Sequence, residues 1–229
     1  MSAGEPVQRR RVLYGRSRGK ALRGEQERLI ADFLPRIAIE PGALRAPGLF
    51  SFAPREVWLE IGFGSGENMI AEAAANPDVG FIGCEPFLNG VAAAVAGVER
   101  AGLSNIRIRR GDVQALLEAA PSGLFSRIFI LYPDPWPKRR HQKRRLISEP
   151  MVDALARVLR PRGDVRFATD IDDYAGWTLR RFLASPCFCW TPATADSWRL
   201  PWPGWRPTRY EAKAHKDGRK SSYLTFAHV

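Results

Sequence analysis

The sequence predicts a doubly wound, mostly parallel α/β sheet with helices on both faces. Three observations predict it. Between residues 57 and 183, short runs rich in Val, Ile and Phe alternate with segments of helical periodicity, the pattern of βαβ units. The first run ends in a glycine turn that opens directly into a helix. Acidic residues follow successive apolar runs, at the carboxyl edge where such a sheet binds ligands.

The elements follow in order. Residues 1–24 carry Arg9, Arg10, Arg11, Arg16, Arg18, Lys20 and Arg23 with little apolar pattern, which reads as a basic arm. Residues 25–56 hold a short helical segment, then loops rich in Pro and Gly. Residues 1–50 are therefore grouped as arm and helical segment, and 51–229 as the sheet domain. "VWLEI" (57–61) reads as a buried strand, 62–66 as a turn and "ENMIAEAAA" (67–75) as a helix. "VGFIGCE" (79–85) is a second strand, followed by an Ala/Val helix to about residue 100. "NIRIRR" (105–110) is a third strand and "VQALLEAA" (113–120) a helix. "RIFILY" (127–132) is a fourth strand. In "SEPMVDALARVL" (148–159), Ile147, Met151, Leu155 and Leu159 recur at four-residue spacing and Pro150 suits a first helical turn. Pro161 and Gly163 end that helix. "DVRFAT" (164–169) is a fifth strand, "DDYAGWTLRRFL" (172–183) a helix and "SYLTFAH" (222–228) a last strand. The final third is less regular and includes a Trp/Pro-rich loop at 191–207.

Composition narrows the function classes. A 45% apolar chain of 229 residues can bury a core in one large domain or two small ones. The net charge of +11 suggests a polyanionic partner, nucleic acid or an anionic membrane surface. No apolar run approaches the roughly 18 residues of a membrane span, and no signal peptide is expected. Cys84, Cys187 and Cys189 form no CxxC pair, which argues for a reduced, cytoplasmic protein. His141, His215 and His228 are scattered and propose no metal site.

The chemistry-bearing residues gather at the strand ends. In "LEIGFGSGEN" (59–68), Gly62, Gly64 and Gly66 follow GxGxG spacing, which lets backbone approach a ligand. Glu60 sits in an otherwise apolar strand end and needs partners there. Glu85 closes the second strand, where an acid can accept both ribose hydroxyls of a nucleotide. Asp112 follows the third, where it can take the amino group of adenine or cap the next helix. An acidic pocket without a phosphate-binding lysine suits a cofactor with a positive centre and no phosphates. S-adenosylmethionine meets that description; NAD, with its pyrophosphate, does not. After the fourth strand, Asp134 stands among Pro133, Pro135 and Pro137, and six of the eight residues 138–145 are Lys or Arg. Prolines fix the backbone around a carboxylate, and the cations can hold phosphates. The combination fits delivery of a nucleic-acid base to a methyl donor.

The motifs "LEIGFGSGEN", "GCEPF", "RGDV", "YPDPWPKRRHQKRR", "ATDIDDYA" and "TRYEAKA" resemble, in order, those of the bacterial tRNA (guanine-N7-)-methyltransferase family. The resemblance runs from about residue 57 to the C-terminus and implies a Rossmann-like methyltransferase fold. It implies S-adenosylmethionine as cofactor, tRNA as partner and N7 of guanine as acceptor. By that resemblance Glu60, Gly62, Gly64, Glu85, Asp112 and Asp134 are cofactor-binding positions, and Asp134 is also the catalytic acid. Lys138, Asp170, Thr208, Arg209, Tyr210 and Glu211 correspond to substrate-binding positions. Arg140, His141, Gln142, Lys143, Arg144 and Arg145 correspond to an RNA-contacting strip. For Asp170 a helix N-cap is the structural alternative; for Tyr210 and Glu211 it is ordinary packing and a surface acid. Two other classes remain open: a small-molecule methyltransferase, which needs no basic strip, and a non-catalytic RNA-binding protein, which needs no aligned acids.

Overall fold

Among the described residues, 17–229 of the computed structural model, seven strands form one sheet. In chain order they are β1 (Glu56–Ile61), β2 (Val79–Glu85), β3 (Ile106–Arg110), β4 (Phe125–Leu131), β5 (Leu159–Thr169), β6 (Phe188–Cys189) and β7 (Ser222–His228). Their spatial order is β3-β2-β1-β4-β5-β7-β6. β1 to β5 pair in parallel, and β7 runs antiparallel to both β5 and β6. Arg9, Arg10, Arg11 and Arg16 of the expected arm lie outside the described residues.

The helices are α1 (Glu25–Arg28), α2 (Leu34–Ile37), α3 (Glu67–Ala75), α4 (Leu88–Ala101), α5 (Val113–Ala119), α6 (Glu149–Val158), α7 (Asp172–Ala184), α8 (Asp196–Arg199) and α9 (Arg209–Lys216). Strand side chains alternate between two cores, as a sheet covered on both faces requires. Trp58, Phe81 and Phe129 point to one face with Met69 and Ala73 of α3 and Val91, Val95 and Val98 of α4. Leu59, Ile82 and Ile128 point to the other with Leu116 of α5, Leu155 of α6 and Tyr174 of α7. The sheet is therefore doubly wound. No helix among the described residues is long and apolar enough to cross a membrane.

Several details differ from the sequence expectations. The N-terminal helical segment is broken by a wide turn at Leu29–Phe33 between α1 and α2. Pro35 explains this, because it lacks the N–H needed to continue the regular ladder. Residues 29–50 do not hang free. Leu29 and Ile37 join one core, Ile39, Leu44 and Phe50 the other. Between them the Ile39 amide donates to the Ile108 carbonyl at 3.0 Å, so the chain caps the outer edge of β3. β5 begins at Leu159 rather than residue 164. Leu159 pairs with Phe125, and pairing resumes at Asp164 with Arg127 after a bulge holding Pro161 and Arg162. α9 falls where no helix was expected. Its signal was Thr208-x-x-Glu211, a capping pattern: the Thr208 hydroxyl accepts from the Glu211 amide at 3.2 Å.

The topology places the site. β1 and β4 are neighbours, but α3 follows β1 onto one face and α6 follows β4 onto the other. Their loops diverge and leave a crevice at the carboxyl edge. The glycine turn that follows β1 packs tightly under α4. A Cβ on Gly90 would stand 2.5 Å from the Gly64 carbonyl oxygen, and backbone cannot give way as a flexible side chain would. Alanine is otherwise the better helix residue, so the clash must outweigh that gain. Gly90→Ala is expected to destabilise the protein by about 1–3 kcal/mol in denaturant unfolding, with an unchanged m-value. Wild-type or greater stability would show that the turn and α4 are not in close contact.

Candidate active site

The loops after β1, β2, β3 and β4 surround one cavity of about 710 Å³, a size typical of small-molecule sites. Gly62 and Gly64 form one wall in left-handed conformations, φ 75° and 56°. Gly66, at φ 77°, begins α3. Tyr210 lies across Gly64: a Cβ there would stand 3.3 Å from the Tyr210 ring, so a side chain would push the ring outward.

Glu85, Asp112 and Asp134 all line this cavity. The buried Glu85 accepts the Gly64 amide on one oxygen and the Phe87 amide on the other, both at 2.8 Å. Burial raises its pKa, and the two amides oppose that shift. Asp112 accepts the Gln114 amide at 3.0 Å. It caps α5, as one sequence reading expects, and lines the cavity as well. Glu60 lies deeper, in a recess beside Gly62 and Tyr132 where Thr208 also lies. One Glu60 oxygen accepts the Asn68 amide at 2.8 Å. Burial pushes its pKa up to about 8, with Glu67 and other acids adding to the shift and Asn68 opposing it. Its partner is thus a neutral side chain of this protein. Among the described residues none of these three acids enters an ion pair.

Asp134 differs from them. It makes no hydrogen bond or ion pair among the described residues, yet it lines the cavity. It is exposed, but the concave walls remove enough water to raise its pKa. The backbone around it is strained. Tyr132 and Trp136, each followed by a proline, adopt φ 49° and 43°. Left-handed backbone at such residues costs on the order of 1–3 kcal/mol each. Their side chains hold them there. The Tyr132 hydroxyl donates to Ser221 at 2.8 Å, and the Trp136 ring meets His141 edge-on with the Arg144 guanidinium 5.0 Å above it.

The basic strip divides into two roles. Lys138, Arg139, Arg140 and Lys143 are exposed. Gln142 is half-buried and donates to Asp173 at 3.3 Å. His141 is surrounded by cations, and burial together with those neighbours lowers its pKa. Arg144 also lines the cavity. Arg145, expected in the RNA-contacting strip, is instead buried, with its side chain at 0% exposure. Its Nε donates to the Pro135 carbonyl at 2.8 Å, it pairs with Asp173, and it stacks on Tyr174 and Trp177 at 4.9 Å each. It is a strut that ties the proline loop to α7, and a side chain without surface cannot reach RNA.

The remaining expected residues are dispersed. Asp170 lies outside the cavity lining and pairs with Arg219 at 2.6 Å; it does not cap α7, whose N-cap is Ile171. Arg209 pairs with Glu67 at 2.6 Å. Glu211 is buried behind Tyr210 and accepts from Trp205 and Tyr223. Of the last helix's expected residues, only Tyr210 reaches the main cavity. Sequence reasoning missed Tyr132 and Trp136 as walls, because their left-handed backbone has no glycine to announce it.

Comparison with known proteins agrees with this architecture. A family model described as "Putative methyltransferase" matches residues 54–224. A tRNA (guanine-N(7)-)-methyltransferase of Rhodopseudomonas palustris (strain BisB18) is 49% identical, over 94% of this chain and 87% of that one. One from Azorhizobium caulinodans is 47% identical over the full length of both. Among solved structures, the antibiotic-resistance methyltransferase Kmr shares the fold, with a TM-score of 0.51 and 19% identity over 92% of this chain and 98% of that one.

The two roles in the strip separate experimentally. Arg145→Lys is expected to lower stability by about 1–3 kcal/mol and leave the salt dependence of tRNA binding unchanged. Replacing Arg139, Arg140 and Lys143 with Gln is expected to do the reverse. Each lost phosphate contact lowers the log–log slope by about 0.7–0.9. A flattened slope in Arg145→Lys would show that Arg145 itself contacts phosphate.

Proposed function

The chain belongs to the tRNA (guanine-N(7)-)-methyltransferase family, and we propose that it transfers the methyl group of S-adenosylmethionine to the variable-loop guanine at tRNA position 46. Its tRNA substrate would put it in the cytoplasm. The cavity's donor set fits this cofactor. Two of its acids, Glu85 and Asp112, are held by backbone N–H groups, which leaves their charge for a ligand that is cationic and lacks phosphates. Each Glu85 oxygen keeps a further lone pair for a ribose hydroxyl, and Asp112 keeps its second oxygen for the adenine amine. When bound, S-adenosylmethionine supplies a methyl group activated by its sulfonium.

The acceptor nitrogen, N7 of guanine, has an available lone pair and no hydrogen, so the reaction needs no general base. The protein's task is alignment and exclusion of water. Asp134 would accept the N1–H and exocyclic amine of guanine, and its charge favours the cation that the methylated base becomes. Tyr210, Tyr132 and Trp136 supply the walls. Lys138, Arg139, Arg140 and Lys143 would hold the phosphates beside that base.

One observation carries the reading: a carboxylate without a hydrogen-bond or ion-pair partner among the described residues, fixed by strained backbone between the cavity and a basic strip. A small-molecule methyltransferase would have no use for that strip. Asp134→Asn keeps the size but turns one acceptor into a donor that opposes the guanine N–H groups. Methyl transfer is expected to fall by at least about 100-fold, the scale of one well-placed polar group in a transition state. Bulk tRNA affinity should stay the same, since phosphates dominate it. Near-normal turnover of the variant, with the methyl still on guanine N7, would refute this role for Asp134.

A further inference from the structure

The Trp/Pro-rich loop at 191–207 has no part in the reaction described so far, yet it meets α9 from behind. α9 reads "RYEAKAHK" and contains no large aliphatic residue. Only Glu211 and Ala214 of its side chains are buried. An eight-residue helix is not stable alone, and this one has no apolar stripe to hold it. Besides the Thr208 cap and the Arg209–Glu67 pair, the Glu211 carboxylate holds it. One oxygen accepts Trp205 Nε1 at 2.7 Å, and the other accepts the Tyr223 hydroxyl. Trp202, Trp205 and Tyr223 pack edge-to-face with centroids 5.5–5.9 Å apart. Trp202 is fixed in turn by donation to the Thr225 hydroxyl at 2.8 Å and by Arg166 stacked on it at 5.5 Å.

The same cluster reaches the loop that carries Asp134. The Tyr223 hydroxyl lies beside those of Tyr132 and Ser221, and Tyr132 is one of the two strained residues flanking Asp134. Tyr210, next to Glu211 in sequence, forms the cavity wall against Gly64. One buried carboxylate thus links both sides of the cavity.

We propose that Trp205 and Tyr223 are positioning residues: through Glu211 they seat α9 so that Tyr210 closes the cofactor cavity, and through Tyr132 they brace the Asp134 loop. The proposal rests on the S-adenosylmethionine reading above for its kinetic consequence, but not for its structural one.

The test uses Trp205→Phe and Tyr223→Phe, which keep the rings and remove the donors to Glu211, with Trp198→Phe as a control from the same loop. Hydrogen exchange of the α9 amides and the KM values for S-adenosylmethionine and tRNA are measured in each, with Glu85→Ala run in parallel. Expected in both variants is faster exchange in α9 with sheet exchange unchanged. Losing one buried bond to a charged group should also raise KM for S-adenosylmethionine about tenfold, with KM for tRNA unchanged. Trp198→Phe should match the wild type. Unchanged α9 exchange and KM in both variants overturn the proposal, as does uniform acceleration across the whole sheet. If Trp205→Phe fails to fold, Tyr223→Phe decides alone by the same readings. Wild-type cofactor affinity in Glu85→Ala would instead sink the cofactor reading, and α9 exchange would still decide the seating of the helix.

Discussion

A carboxylate can be held by a cation or by neutral N–H groups, and that choice decides what it can still bind. Glu85 is held by the amides of Gly64 and Phe87, Asp112 by that of Gln114, and Glu60 by the Asn68 side chain. Protein cations pair with carboxylates elsewhere, as Arg127 does with Asp164 and Arg219 with Asp170. The cost of neutral support is visible at Glu60, whose pKa rises to about 8 because no positive charge offsets its burial. Among the described residues, Glu85, Asp112 and Glu60 thus enter no ion pair with a cation of the protein's own.

The fold supplies the geometry for this arrangement. Parallel strands bring the β1, β2, β3 and β4 loops to one edge, and opposite winding of α3 and α6 opens the crevice between β1 and β4. The fourth loop adds strain. Tyr132 and Trp136 are held in left-handed backbone by side-chain partners, while Arg145 ties the Pro135 carbonyl to α7. The proline-flanked acid is over-determined from three directions, which suits the base-positioning role proposed for it.

Much of this was legible in the sequence because each signal was local. Buried strands announced themselves as unbroken apolar runs, and the ranges 67–75 and 79–85 coincide with α3 and β2. The strand-end acids were visible because a charge beside an apolar run stands out. The parts that were not legible depend on distant partners. Nothing local distinguishes Arg145 from Arg140 in a run of cations; only Tyr174, Trp177 and Asp173, some thirty residues away, make it a strut. Glu211 likewise follows an exposed-looking pattern, and its burial comes from Trp205 and Tyr223. The α9 helix has too few apolar residues for periodicity to reveal it, though its Thr208 cap could have done so.

The central claim is that the cavity's acids await a cationic ligand, and proton linkage tests it most directly. Burial pushes the Glu60 pKa up to about 8, which favours its protonated form near pH 7. A nearby cation favours the carboxylate, lowers that pKa and expels the proton. Calorimetric titration with S-adenosylmethionine in buffers of different ionisation enthalpy reads the proton count. The account predicts net release at pH 7, greater for S-adenosylmethionine than for S-adenosylhomocysteine, which lacks the sulfonium charge, and reduced in Glu60→Gln. Binding heats that do not depend on the buffer, or proton uptake, would contradict it.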